Sequence, residues 1–142
     1  MSSSSQTSKR RIVSAVIKFP NGDLLIQNHV KIDGLTLPSG GIEENESPLL
    51  AIAREMSEEI DVDISDLMLE SIVPILSEVI IHPELSDTEE TRFTFNVEDD
   101  FTWSNIEPDK HKWIRRLSLD DIKESDIPES IVLSNYTSSL GT

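Results

Sequence analysis

Short apolar runs separated by turn residues fill the first part of the chain. Residues 12–17 are almost continuously apolar, residues 20–23 carry a turn signal, and residues 24–26 are apolar again. This order predicts a β-hairpin whose first strand is largely buried. Residues 28–34 are predicted to form a loop, followed by a short extended segment over residues 34–38 that leads into two glycines.

A helical period begins after Ser47 and Pro48. Ser can cap the open backbone N–H groups of a first helical turn, and Pro has the backbone angle that this turn needs. Apolar residues then recur at steps of three and four, which predicts a helix with one buried stripe. Asp61, at the predicted end, is of a residue type that tolerates left-handed backbone at modest cost. The predicted stripe consists of Leu49, Ile52, Ala53, Met56 and Ile60.

Further strands are predicted in the second half of the chain. Residues 69–81 are rich in apolar residues and predict a long strand that is interrupted or bulged at Pro74. Residues 82–90 are polar and acidic, which favours a hairpin loop, and residues 92–97 alternate as a strand with one buried face does. Residues 112–114 predict a last short strand.

Two helices are expected to close the chain. Ser118 precedes an acidic first turn, which is typical of a capped helix, and residues 127–140 form an amphipathic pattern. Together with the strands, this order predicts an α/β fold. We expect a single domain over residues 11–142, preceded by a disordered Ser-rich tail over residues 1–10.

Composition excludes several classes of function. With 27 acidic and 12 basic residues the formal net charge is −15, which argues against duplex nucleic acid because duplex binding requires neutralised phosphates. No apolar stretch is as long as a membrane span, and the first residues lack the apolar centre of a secretion signal. The absence of cysteine excludes disulfides and is compatible with a cytoplasmic location. Three scattered histidines do not suggest a metal site, and we expect them to be exposed.

Three glutamates share one face of the predicted helix. Glu55, Glu58 and Glu59 stand at i, i+3 and i+4, so their carboxylates are neighbours that repel each other. Such a run is ordinarily a solvated helix face, but Arg54 precedes Glu58 by four residues and could hold it in a ligating rotamer. Mg²⁺ or Mn²⁺ would offset the crowded charge, since hard cations prefer oxygen ligands. A cation would also bridge the acidic chain to an anionic substrate.

The segment over residues 40–62, GGIEENESPLLAIAREMSEEIDV, follows the pattern G-x5-E-x7-R-E-U-x-E-E, where U is aliphatic. It resembles the signature of the Nudix hydrolases, which cut diphosphate linkages with divalent metal ions. Asp61 departs from the pattern because relatives usually have Gly there. The resemblance covers about residues 11–124 and is that of a small, single-domain, MutT-like member. It implies a curved mixed β-sheet sandwiched between α-helices.

The resemblance assigns metal-binding and catalytic roles to particular residues. It implies that Glu55, Glu58 and Glu59 hold Mg²⁺ or Mn²⁺, and that Ser39 supplies a backbone carbonyl where relatives have Gly. Glu58, Glu59 and Arg54 are the expected catalytic members of the motif. Several relatives use a further loop glutamate as general base, for which Glu107 is the candidate here, with Glu89 and Glu90 as competitors.

Other motif residues are expected to support the loop before the helix. Gly40 and Gly41 would give this loop conformations that are closed to other residues, and Glu46 would brace it. Relatives often carry an Arg after the second strand to hold a phosphate, but this chain has Gln27-Asn28-His29 there. Phosphate contacts would then fall to Arg10, Arg11 or Lys31. Base stacking would fall to Phe95, or alternatively to Phe93, Phe101 or Trp103.

The activity that these inferences favour is hydrolysis of a nucleoside or deoxynucleoside triphosphate to the monophosphate and pyrophosphate. The same chemistry on a nucleotide sugar, a dinucleoside polyphosphate or capped RNA is the first alternative. A non-catalytic module that binds nucleotides or a protein is the second, and the intact glutamates argue against it. Many family members form homodimers, which keeps that assembly open for this chain.

Overall fold

The structure is a computed structural model that describes residues 10–31, 34–66 and 75–140. Residues 1–9 of the tail predicted over residues 1–10, and the predicted bulge at Pro74, therefore lie outside the described residues. In chain order the strands and helices are β1 (Arg11–Lys18), β2 (Leu24–His29), β3 (Gly34–Thr36), β4 (Ser39–Gly41), α1 (Pro48–Ile60), β5 (Leu76–His82), a 3₁₀ turn (Pro83–Leu85), β6 (Thr88–Asn96), β7 (His111–Leu117), α2 (Leu119–Glu124) and α3 (Ile131–Ser139).

Strand β1 connects the parts of one mixed sheet. It runs parallel to β6 along its whole length and antiparallel to the short β4, while β5 lies antiparallel on the outer side of β6. At its end β1 pairs with β2 through Lys18 and Leu24, and β2 is in turn antiparallel to both β3 and β7. The mixed sheet predicted from the sequence is confirmed.

Helices cover both faces of this sheet. Because side chains alternate along a strand, β1 directs Val13, Ala15 and Ile17 towards α1, where they pack with residues such as Ile52 and Met56. The opposite face of β1 packs against the last two helices, in a second core that includes Ile12, Val16, Ile122, Leu133 and Tyr136. The near-continuous apolar run of β1 reflects burial on both sides. Within the described residues, no helix combines the length and the apolar character needed to cross a membrane.

Helix α1 begins where the sequence predicted. The Ser47 hydroxyl accepts a hydrogen bond from Leu50 N at 3.2 Å, and Pro48 occupies the first turn. The helix ends at Asp61, which adopts the left-handed conformation with φ of 59°. The buried stripe includes Ile52, Met56 and Ile60 as predicted, but it is rotated towards Ala51 and Glu59. Leu49 was wrongly included, since it is 44% exposed.

Several predicted boundaries change. Strand β2 extends into the predicted loop as far as His29, and the loop predicted over residues 82–90 is shorter, because β5 and β6 stay paired to His82 and Thr88. Strand β6 is buried on both faces, with Glu90 and Arg92 on the side predicted to be exposed. The last helix begins at Ile131 after the cap of Ser130.

Candidate active site

Arg54 connects helix α1 to the loop that precedes it. Its guanidinium donates two hydrogen bonds to the Glu46 carboxylate, at 2.8 and 2.9 Å, and one to Gly41 O at 2.9 Å. It also donates to Glu55 at 2.8 Å and to Glu58 at 3.3 Å. This fork holds the pKa of Glu46 down at about 2 and raises the pKa of Arg54. Arg54 and Glu46 therefore fix the loop against the helix, and Arg54 orients two of the predicted ligands.

Gly40 permits a close approach of Glu55 to the loop. A Cβ at Gly40 would overlap the Glu55 carboxylate, whereas a Cβ at Gly41 would meet nothing within 4 Å. Neither glycine has a positive φ. The predicted reason for these glycines was thus wrong: at Gly40 the requirement is space for a carboxylate rather than an unusual backbone conformation.

Glu59 is a buried carboxylate, with 6% of its surface exposed. Its Oε1 accepts a hydrogen bond from Gln27 Nε2 on β2 at 2.9 Å. Burial raises the pKa of Glu59 to about 9, the Gln27 hydrogen bond opposes the shift, and a hydrogen bond with Glu55 together with the charges of Glu55 and Glu107 adds to it. Glu55 and Glu59 thus share a small volume in which two negative charges are unfavourable. The sequence analysis did not identify Gln27 as a partner of this site.

Glu107 lies near these carboxylates, as the prediction of a loop base requires. Its loop is attached to the end of α1, because Ser104 N donates to Ile60 O at 3.0 Å and Ile106 N to Glu59 O at 3.2 Å. The Glu107 side chain pairs with Lys110 Nζ at 3.1 Å. The competitors have other partners: Glu89 pairs with Arg11, and Glu90 is fully buried.

The donor chemistry of this corner suits a hard divalent cation, although the described residues contain no group of three or more acidic, His or Cys side chains already arranged around one point. Glu55 and Glu59 meet at hydrogen-bond range, whereas Glu58 is 54% exposed and turned towards Arg54. Burial, and to a lesser extent the nearby carboxylates, favour a proton on Glu59, and a bound cation would offset both effects. All the side chains offer oxygen, which hard cations prefer. Ser39 is adjacent to Gly40 on β4 and so lies beside the same corner.

A cavity of about 570 Å³ opens beside β4, and Ser39 and Gly40 line it. Its other walls come from the start of β1 and β6, from the end of β2 and from residues 129–132 at the start of α3. Two exposed cations, Arg10 and Lys31, belong to its lining, so the structure brings two of the three predicted phosphate-binding candidates to the edge of this cleft. Arg11 is not among its described lining residues and pairs instead with Glu89 at 3.4 Å.

The stacking role predicted for Phe95 is wrong. Its ring is 1% exposed and packs under α1, stacked on Phe93 with the ring centres 6.3 Å apart. Phe101 and Trp103 also pack together, against Phe19, rather than lining the cleft. The alternating aromatic residues of β6 are therefore part of the core.

The sequence analysis also missed a buried ionic cluster behind the cleft. The Glu90 carboxylate accepts hydrogen bonds from Arg92 at 2.8 and 2.9 Å and contacts the His82 ring at 2.6 Å and the Ser14 hydroxyl. Arg92 also donates to Val132 O at 3.3 Å, which attaches the cleft-lining start of α3 to the sheet. The only sequence signal was an acid and a base two residues apart on one strand.

Two histidines predicted to be exposed are buried as well. His82 belongs to the ionic cluster, and His111 is 1% exposed with its ring edge-on to His29, 5.2 Å away. Burial is the main cause that lowers the pKa of both His29 and His111. His29 also lines the cleft, so its ring is part of the site that a substrate would contact.

Comparison with protein families identifies the fold and the site together. The family model described as NUDIX domain matches residues 8–134, a span that contains the Arg54 fork, the helix carboxylates and all the described lining residues of the cleft. The chain belongs to the Nudix hydrolase family, and it is a pyrophosphohydrolase of that family. A comparison of the sequence with curated proteins finds no match.

Solved structures share the fold at low sequence identity. The MutT Nudix hydrolase of Burkholderia pseudomallei superposes with a TM-score of 0.68 at 17% identity, over 94% of this chain and 99% of that one. A bifunctional NMN adenylyltransferase/ADP-ribose pyrophosphatase of Francisella tularensis, complexed with AMP and a manganese ion, gives 0.73 at 19%, over 94% of this chain and 41% of that one. An Ap4A hydrolase of C. elegans gives 0.68 at 14% identity, over 91% of this chain and 94% of that one.

Proposed function

We propose that this protein hydrolyses the diphosphate linkage of a nucleoside or deoxynucleoside triphosphate, with Mg²⁺ or Mn²⁺, and releases the monophosphate and pyrophosphate. The observation that carries the proposal is the position of β4. Glu55 lies against Gly40, and Gly40 also lines the cleft whose edge carries Arg10 and Lys31. A nucleotide in the cleft would therefore place its phosphates beside both the cations and the carboxylates.

Each residue of the site has a role in this proposal. Glu55, Glu58 and Glu59 would hold the metal, with the Ser39 carbonyl as a further ligand. The bound metal would offset the charge of the diphosphate and help to activate water. Arg54 keeps Glu55 and Glu58 in place through the hydrogen bonds described above.

Glu107 is the proposed general base. It would accept a proton from the attacking water while the water oxygen bonds to phosphorus and the bridging P–O bond breaks in line with it. No covalent enzyme intermediate is required. The negative charge of Glu107 helps to raise the pKa of Glu59, so the two carboxylates interact. This interaction supports placing Glu107 near the reacting phosphate of the substrate.

Two features favour a triphosphate over larger substrates. The cleft has a volume of about 570 Å³ and its start of α3 is fixed by Arg92, so it would suit one nucleoside. Among the described lining residues two side chains at its edge are Arg or Lys, which suits a short phosphate chain. Similar folds nevertheless carry other activities, since one matched protein is an Ap4A hydrolase and another an ADP-ribose pyrophosphatase.

One assay separates these substrates. The purified protein is incubated with nucleoside triphosphates, nucleotide sugars, dinucleoside polyphosphates and capped RNA, each with Mg²⁺, with Mn²⁺ or with EDTA, and the products are resolved by ion-exchange chromatography. We expect metal-dependent turnover of triphosphates, with pyrophosphate as a product. If only another of these compound classes is hydrolysed, that class is the substrate instead of the triphosphates. Binding without any turnover would indicate the non-catalytic alternative.

A further inference from the structure

Gln27 supplies the one amide side-chain hydrogen bond described for the glutamates of α1. It lies on β2, is 1% exposed, and its Nε2 donates to Oε1 of Glu59 at 2.9 Å. The two residues belong to elements on different sides of the core, 32 positions apart in sequence. A buried amide in this position has a cost unless its hydrogen bonds are made, so the contact with Glu59 explains how a polar residue is accommodated at this fully buried position of β2.

The neutral charge of this donor distinguishes it from Arg54. Arg54 holds Glu55 with a full positive charge, at 2.8 Å. A second guanidinium or ammonium at residue 27 would neutralise Glu59 and compete with a metal ion for it. An amide fixes the direction of the carboxylate without cancelling its charge. Gln27 occupies Oε1 of Glu59, which leaves Oε2 for another ligand.

We propose that Gln27 is a positioning residue for the divalent cation: its amide holds the Glu59 carboxylate in the orientation that binds metal together with Glu55. This inference rests on the proposed function and deepens it. Residues that hydrogen-bond to metal ligands typically change metal affinity by about 10- to 100-fold when they are replaced. An effect of this size is therefore expected here, although Gln27 itself contributes no ligand.

The test measures metal binding rather than activity. Gln27→Met keeps the length and the volume of the side chain but removes the donor. The matched control is Asn28→Leu, which alters the next, similarly buried amide, whose Oδ1 has no hydrogen-bond partner among the described residues. The dissociation constant for Mn²⁺ is measured by electron paramagnetic resonance of the free ion, without nucleotide, and circular dichroism checks that each variant is folded.

We expect Gln27→Met to weaken Mn²⁺ binding by about 10- to 100-fold, with Asn28→Leu close to the wild type. A second variant, Gln27→Asn, keeps an amide that is one methylene too short to reach Glu59, and it should weaken binding as well. Wild-type affinity in either variant of Gln27 would overturn the inference.

A double-mutant cycle separates positioning from a general loss of structure. In the Glu59→Gln background there is no carboxylate left to orient, so adding Gln27→Met should cause little further loss. An equal loss of Mn²⁺ affinity in both backgrounds would overturn the positioning role. If the wild type bound no Mn²⁺ at all, the proposed function would fail. If the wild type bound Mn²⁺ and Gln27→Met bound it equally well, only the positioning role of Gln27 would fail.

Discussion

The carboxylates of α1 differ in their surroundings although they are identical in sequence type. Glu59 is buried and held by an amide, Glu55 is held by a guanidinium against a glycine, and Glu58 is mostly exposed. In the proposed cation site, these differences would give the three carboxylates separate tasks. Burial makes Glu59 the member whose charge has most need of a cation.

We expect Glu58→Gln and Glu59→Gln each to reduce kcat by at least about a hundredfold, on the scale of losing a general base or a charge-stabilising group. Gln keeps the size of the side chain, so the fold should be retained. The matched control is Glu124→Gln, an exposed glutamate on α2, which should keep wild-type rates. Steady-state kinetics with the best triphosphate measures the effect, and full activity of either α1 variant would contradict its role.

The two glycines of β4 provide a paired prediction. Gly40→Ala puts a methyl group where the Glu55 carboxylate lies, so the side chain must move, and a displacement of about 1 Å at a catalytic group can cost about 100-fold in rate. Gly41→Ala meets open space and should leave kcat/KM near the wild type. Similar activities of the two variants would show that the approach of Glu55 to β4 is unimportant.

Glu59 also predicts a dependence of stability on pH. Its pKa rises from 4.5 in the unfolded chain to about 9 in the metal-free fold, so folding favours the protonated form. The stabilisation is complete below pH 4.5 and is lost as the pH rises towards 9. In EDTA, the contribution of Glu59 to the midpoint of thermal unfolding should therefore decrease from pH 5 to pH 9.

Two comparisons isolate that contribution from the other titrating groups. Glu59→Gln has no titrating group at this position, so its midpoint should depend less on pH than that of the wild type. Mg²⁺ should raise the wild-type midpoint most at high pH, where Glu59 would otherwise be a buried, uncompensated charge. Parallel pH curves for the two proteins in EDTA would contradict the assignment.

At the scale of elements, the site depends on a loop and a helix that are connected by one side chain. The Arg54 fork makes two hydrogen bonds to Glu46 and one to Gly41 O, a geometry that only a guanidinium can supply. The loop is therefore part of the same unit as α1, and the direction in which Glu55 points depends on both.

We expect Arg54→Lys to lower the thermal midpoint and kcat together, because an ammonium can replace one of these hydrogen bonds but not the planar fork. Arg11→Lys is the control, since Arg11 makes a single exposed contact with Glu89 at 3.4 Å and should tolerate the change. Thermal unfolding and steady-state rates are measured for both variants. Equal midpoints and rates for Arg54→Lys and the wild type would contradict the proposed role of the Arg54 fork.

Elements with local signals were predictable from the sequence. The Ser47 cap, the hairpin turn and the left-handed Asp61 depend on neighbouring residues, and each was found where it was expected. Features that depend on pairing between distant segments were not predictable. Glu90 meets Ser14 only because β1 and β6 are parallel neighbours, and alternation alone could not tell that both faces of β6 are covered. Gln27 and Glu59 are a further pair of this kind.

On the scale of the whole molecule, a net charge of −15 opposes every anionic ligand. Arg10 and Lys31 place positive charge at the cleft edge. A negative substrate should therefore depend on them, for binding more than for the chemical step. We expect Lys31→Ala to raise KM by about two- to fivefold with little change in kcat, the size of an exposed charge interaction.

The control for this prediction is Lys123→Ala, an exposed lysine on α2 that is not among the described lining residues of the cleft. Raising the ionic strength should reduce the difference between Lys31→Ala and the wild type, because salt screens exposed charges. Steady-state kinetics at low and high salt checks both points. A fall in kcat with unchanged KM would instead assign Lys31 to the chemical step.

Strand β4 adjoins both the acids and the cleft, because Gly40 lies against Glu55 and also lines the cleft. The far wall of that cleft comes from residues 129–132, a separate stretch of chain that makes no described contact with Glu55, Glu58 or Glu59. If the proposed function is correct, nucleotide selection and bond cleavage would depend on different segments of the chain. A library randomised at the start of α3 could therefore redirect the enzyme to new nucleotides while its hydrolytic apparatus stays untouched.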